Sequence, residues 1–219
     1  MGYTTDFIGH IDIEPALNDD EITYLEAFSE SRRFERPGGP YDVPDNPRAE
    51  DSSTFPRGLY NRPPAGQPEL WCDWVPCWDG CCLSYNGMEK FYGAVEWLRY
   101  LIGHLLKPGA KAARSGDPMF AGFTFDHVLE GMVVGCRRDN KELFSITVAN
   151  NRVREKVLHP ADRRYLDYPP LPYEEAIDQD LTSRQQRRGE QQGRGEQRGR
   201  GEQQGRGEQQ GQVLPFRAR

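Results

Sequence analysis

The 219-residue sequence lacks an apolar run long enough to cross a bilayer. Its most apolar window, residues 95–106, is interrupted by Glu96, Arg99 and His104, and a helical span needs about 20 apolar residues. No basic segment followed by an apolar stretch opens the chain, so no secretory signal is expected. Asp6 stands where an acylated Gly2 would require Ser or Thr. A Gly-rich phosphate loop, a Gly-x-Ser-x-Gly elbow and a His-Glu-x-x-His helix are all missing, which removes the nucleotide-binding, serine-hydrolase and zincin signatures. Cysteine is sparse and odd in number: five in all, four of them within residues 72–82. That pattern suits reduced thiols in a cytoplasmic protein better than a disulfide framework.

What is present divides in two. Residues 184–219 hold nine Arg and four Glu, a net charge of +5, which leaves residues 1–183 at −11 within a chain of −6. Without that tail the apolar fraction rises from 36% to about 41%, near the usual globular value. Residues 188–211 are four consecutive hexads of the form Arg-Gly-Glu-Gln-x-Gly. They contain no apolar residue to offset the entropy of ordering, so a disordered, low-complexity repeat tail is expected. The predicted organisation is a single domain over 1–183 and a disordered tail over 184–219.

Within the domain, Phe7, Ile11 and Ile13 alternate with His10, Asp12 and Glu14, the pattern of a half-buried strand ended by Pro15. Asn18 or Asp19 then caps a helix with Ile22, Leu25 and Phe28 on its buried stripe, and Arg32 and Arg33 suit its C-terminal end. From residue 34 to 69 periodicity gives way to a long loop carrying eight prolines. Two short strands, 70–76 and 82–86, meet around Trp78-Asp79-Gly80. A second helix opens at Glu89 and carries Phe91, Val95, Leu98, Ile102 and Leu105, until Lys107-Pro108-Gly109 stops it. Strands are predicted over 120–128, 131–136, 142–148 and 153–158, with turns too short for parallel crossovers. The fold class expected is α+β: an antiparallel sheet with two helices on one face, a long proline-rich loop, and an extended segment around Tyr165–Tyr173 strapping the domain.

Met1-Gly2-Tyr3-Thr4-Thr5-Asp6-Phe7-Ile8-Gly9, Tyr60-Asn61-Arg62-Pro63-Pro64, Leu70 to Pro76, Glu89-Lys90-Phe91-Tyr92 and Phe120 to Val128 stand out as blocks. On them the chain resembles a family of bacterial (actinobacterial) and phage proteins that begin with Met-Gly-Tyr-Thr. The resemblance implies a grouping and no activity, so no catalytic residue follows from it.

Three constellations carry possible chemistry. Trp71, Trp74 and Trp78, with Asp73 and Tyr60, put aromatic density beside the proline-rich loop, the composition of a recognition surface for a protein or small-molecule partner. Cys72, Cys77 and Cys81 are the candidate metal ligands, but spacings of five and four depart from the usual zinc pairs. Cys81 and Cys82, if both on a strand, would point to opposite faces, so no metal or other cofactor is expected. His10, His127 and Glu130 are the candidate acid–base residues of a hydrolase or transferase. Phe123 and Phe125 lie in a segment similar to an RNA-stacking strand, yet strand alternation makes them core, and a −11 domain repels phosphate. Each hexad of the tail carries a Glu that cancels an Arg, and none holds an aromatic to stack on bases. Nucleic acid and membrane are therefore not the expected partners. A non-catalytic binding module is the reading these residues favour.

Overall fold

A computed structural model of the chain describes residues 3–44, 46–47, 57–88 and 90–162, all within one unit spanning 1–167. The hexad tail, the Tyr165–Tyr173 segment and residues 48–56 of the proline-rich loop lie outside the described residues. Six strands form one sheet: β1 (Thr5–Glu14), β2 (Trp74–Pro76), β3 (Cys82–Tyr85), β4 (Val128–Arg137), β5 (Leu143–Ala149) and β6 (Arg152–His159). Their spatial order is β2-β3-β1-β4-β5-β6, and every pairing is antiparallel. β1 is central. Ile11 faces both Leu83 and Gly131, and the β1–β4 ladder runs without a break from Thr5↔Arg137 to Glu14↔Val128. Gly9 sits in that ladder at φ 109°, where an added Cβ would come within 2.5 Å of the Met132 carbonyl oxygen. Only glycine lets the two backbones approach so closely.

Helix α1 (Asp19–Glu30) opens on a capping box: Asn18 accepts from the Glu21 amide, and the Glu21 carboxylate accepts from the Asn18 amide. Those two bonds satisfy donors that a helix start leaves orphaned. α1 ends at Glu30, so Arg32 and Arg33 lie past the helix instead of in its last turn. A single turn, α2 (Arg57–Tyr60), interrupts the proline-rich loop. Helix α3 (Ala94–Leu101) continues into a π-helical turn, Ile102–Leu106. The helix predicted to open at Glu89 begins five residues later. Gly87 and Lys90, at φ 81° and 69°, turn the backbone out of the helical path. Phe91 keeps its core place from that irregular segment, stacked on Tyr85 at 5.8 Å.

Leu25 and Phe28 of α1 and Val95, Leu98 and Leu101 of α3 share one core with Ile11, Val133 and Ile146 of the sheet. Both helices thus cover the same face. The opposite face is bare, with Ile8 at 77% exposure beside His10, Asp12 and Glu130. The strand predicted over 120–128 does not form. A 3-10 turn occupies Pro118–Phe120, Phe125 takes φ 50°, and the Thr124 amide bonds to the Glu21 side chain instead of a ladder partner. Phe123 and Phe125 still pack on the core, though as half-buried residues. Among the described residues no helix is long and apolar enough to cross a membrane.

Arg33 is fully buried and fastens the proline-rich loop. Its guanidinium donates to Ser31 Oγ at 2.8 Å and to the carbonyls of Pro40 and Asp42 at 2.9 Å each. Its carbon lies 4.0 Å above the Phe28 ring. Burial lowers the Arg33 pKa, and the carbonyl acceptors compensate the desolvated charge. Gln67 closes the loop from its far end by donating to Pro40 O and to the Tyr100 hydroxyl.

Candidate functional site

Where the loop returns to the sheet it leaves a cavity of about 750 Å³, whose lining includes Glu69, Trp71, Asp73, Asn86, Phe91 and Tyr92. That volume is in the range of small-molecule pockets. Glu30, Met88 and Lys90 add to its wall, which is predominantly aromatic and apolar with an excess of acid. Asp73 is its most shielded charge, only 6% exposed. Asn86 Nδ2 donates to Asp73 Oδ1 at 3.2 Å, and the Asn86 amide donates to the Asp73 carbonyl at 3.0 Å. Burial raises the Asp73 pKa, and the Asn86 bond opposes it. Among the described residues Asn86 is the one side-chain donor to this carboxylate, and a single neutral donor leaves most of its acceptor capacity unused.

The five residues expected to form an aromatic recognition surface are placed in three environments. Trp71, 42% exposed, and Asp73 line the cavity. Tyr60 joins them indirectly, since the Arg32 guanidinium lies 4.7 Å from the Tyr60 ring centre and 5.7 Å from that of Trp71. Arg32 is itself held by Tyr60 O at 2.9 Å and Asn61 Oδ1 at 2.8 Å. Trp74 is core: it is 1% exposed and donates Nε1 to the Ala94 carbonyl at 2.8 Å. Trp78, 88% exposed, stands at the β2–β3 turn and does not line the cavity. A continuous surface of three tryptophans is therefore replaced by a pocket built on Trp71. Phe91, Tyr92, Lys90 and Asn86 were missed because their segment reads as a helix start and a turn, with no period marking a shared wall.

The cysteines also regroup. Cys72 is fully buried in the core, and burial pushes its thiol up to about 12. Cys77, Cys81 and Cys82 instead converge, each sulfur within 4.8 Å of the other two. Cys81 precedes β3, so the alternation that was expected to separate it from Cys82 does not apply. The Asp79 carboxylate lies 3.0 Å from Cys77 Sγ. Asp79 is held below the usual carboxylate range chiefly by the Cys77 contact, while its hydrogen bond pushes Cys81 up to about 12. Burial, then the Cys77 bond, pushes Cys82 up to about 11.

The candidate acid–base residues are not assembled into one site. His10 and Asp12, 3.2 Å apart, occupy the bare sheet face with Glu130, which lies directly across from Asp12. His127 is in the interior. Its Nδ1 bonds to Pro15 O at 2.7 Å, and its Nε2 lies 3.1 Å from both Glu21 Oε1 and Thr124 Oγ1. Glu21 also accepts from the Thr124 amide and hydroxyl at 2.8 and 3.0 Å. Every polar atom of this clasp is occupied by the fold, and none of His10, His127 or Glu130 lines the Trp71 cavity.

Fold and site together define an α+β protein with one antiparallel sheet, a two-helix layer and an acidic, aromatic cavity under a fastened loop. A comparison with protein-family models, curated proteins and solved structures returned no match to this chain.

Proposed function

We propose that the protein is a non-catalytic binding module whose ligand is a small amphipathic cation, held in the Trp71 cavity. The observation that carries this reading is the shielded Asp73 carboxylate among Trp71, Phe91 and Tyr92. A protonated or quaternary amine is attracted by aromatic faces and restores the charge balance that burial denies Asp73. Glu30 and Glu69 add field of the same sign, against Lys90 alone. A cytoplasmic setting belongs to the same reading, supported by five free cysteines. Grouping with the Met-Gly-Tyr-Thr proteins also stands as a proposal, and residues of two of its blocks, Leu70 to Val75 and Lys90 to Tyr92, line the cavity.

The test is calorimetric titration of the full chain with benzyltrimethylammonium and phenethylamine, against benzyl alcohol as the neutral control. The cations bind to the wild type, and Asp73→Asn or Trp71→Ala weakens them at least about tenfold. Because the cation needs an ionised partner, affinity falls as pH drops through the raised Asp73 pKa. Equal binding of benzyl alcohol, or undiminished binding by Asp73→Asn, would remove the proposal.

A further inference from the structure

The β2–β3 turn gathers three sulfurs that the cavity does not use. Cys77 N donates to Cys82 O at 3.0 Å, and Gly80 N donates to Cys77 O at 3.0 Å. Gly80 takes φ 70°, where a Cβ would strike the Leu17 carbonyl oxygen at 2.5 Å. Leu17 N and Ile13 N in turn donate to the carbonyls of Gly80 and Cys81 at 3.1 and 2.8 Å. The turn is therefore clamped to the central strand and to the start of α1, and its side chains are preset. Cys77 Sγ lies 3.5 Å from Cys81 Sγ and accepts the Cys82 amide at 2.9 Å.

We propose that Cys77, Cys81 and Cys82 bind a single zinc ion, with the Asp79 carboxylate closing the fourth position. Zinc–sulfur bonds of about 2.3 Å set tetrahedral sulfur–sulfur separations near about 3.8 Å. The observed 3.5 Å pair, within a group no wider than 4.8 Å, brackets that value. Asp79 Oδ1 is 3.0 Å from Cys77 Sγ and 3.4 Å from the Cys81 amide, so it lies on the rim of the same triangle. Three thiolates select a soft ion, and a carboxylate in the set favours divalent zinc over monovalent copper. Cys81 is exposed and the other two are half-buried, which gives the ion an entry path. Four protein ligands make the site structural. It staples an edge hairpin whose β2 ladder is only three residues long, where the sheet alone adds little stability.

The experiment uses the full chain, reduced and freed of metal, then loaded with Zn2+, Co2+ or, anaerobically, Cu+ and freed of excess ion. The expected result is one zinc per chain and, with cobalt, a near-ultraviolet sulfur-to-metal absorption band together with quenching of the neighbouring Trp78 emission. Cys81→Ser and Asp79→Asn, both at exposed positions, lose or weaken uptake without loss of the folded circular dichroism. Cys136→Ser, on β4 outside the cluster, retains it. Zinc raises the melting temperature of the wild type and of Cys136→Ser, but not of Cys81→Ser. Full uptake by Cys81→Ser, retention of Cu+ but not Zn2+, or no uptake by the reduced wild type overturns the proposal.

Discussion

The hydroxyl of Tyr41 and Nδ1 of His104 share a hydrogen bond of 2.9 Å, tying the proline-rich loop to the π-helical turn that follows α3. The imidazole also stacks on Tyr100 with ring centres 3.9 Å apart. Burial and, after it, the charge of Lys111 lower the His104 pKa from 6.5 to about 4.

Stability should therefore respond to mild acid through this ring. A histidine whose folded pKa is depressed binds fewer protons than the unfolded chain between the two values. Its contribution is complete above pH 6.5 and is lost as pH falls from 6.5 toward about 4. Melting temperatures across that interval should drop less steeply for His104→Gln than for the wild type. Parallel slopes would assign the acid sensitivity elsewhere.

The Glu21–His127 clasp gives a second effect. Glu21 is fully buried, yet hydrogen bonds from Asn18, Thr124 and His127 outweigh desolvation and lower its pKa. A depressed carboxylate stabilises the fold above its unfolded pKa and loses that contribution as pH falls through the folded one. Glu21→Ala strands the Asn18 and Thr124 amides and the His127 ring, at a cost of about 3 kcal/mol. Urea unfolding at neutral pH measures it, and Glu21→Gln should cost less because the amide oxygen still accepts.

Arg33 controls the loop. Arg33→Met keeps an apolar side chain beside Phe28 but leaves the Asp42 carbonyl without its donor and the Pro40 carbonyl with Gln67 alone. We expect a loss of about 2 kcal/mol and faster proteolytic cleavage between residues 34 and 44 than within α3. Uniform acceleration at all sites would mean that Arg33 serves the whole core and not the loop.

Much of the sheet was legible because its strands are half-buried. Alternation at Phe7, Ile11 and Ile13 marks β1 without reference to any partner, and turn residues at Asn150 and Asn151, both at positive φ, mark the β5–β6 hairpin. Failure came where long-range contacts override local pattern. Phe120 to Val128 alternates like a strand, but Glu21, over 100 residues away, captures the Thr124 amide. Arg33 reads as a solvated helix-end charge, and only the folded loop supplies the carbonyls that bury it. The cavity was half legible. Trp71 and Asp73 announce themselves by composition, whereas Trp74 next to them belongs to the core because Ala94 O satisfies its indole. The thiol cluster was obscured by treating Cys81 and Cys82 as neighbours on one strand, which would point them to opposite faces, whereas β3 begins only at Cys82.

The central position of β1 also bears on how the chain is made. Its two neighbours in the sheet begin at Cys82 and Val128, so β1 leaves the ribosome before either of them and waits until far more of the chain has followed. Phe7, Ile11 and Ile13 wait in the open meanwhile, on a segment with strong strand propensity. Closure of the sheet is thus deferred to the late synthesis of β4, and a nascent chain halted before residue 128 carries its most adhesive strand unpaired on one side.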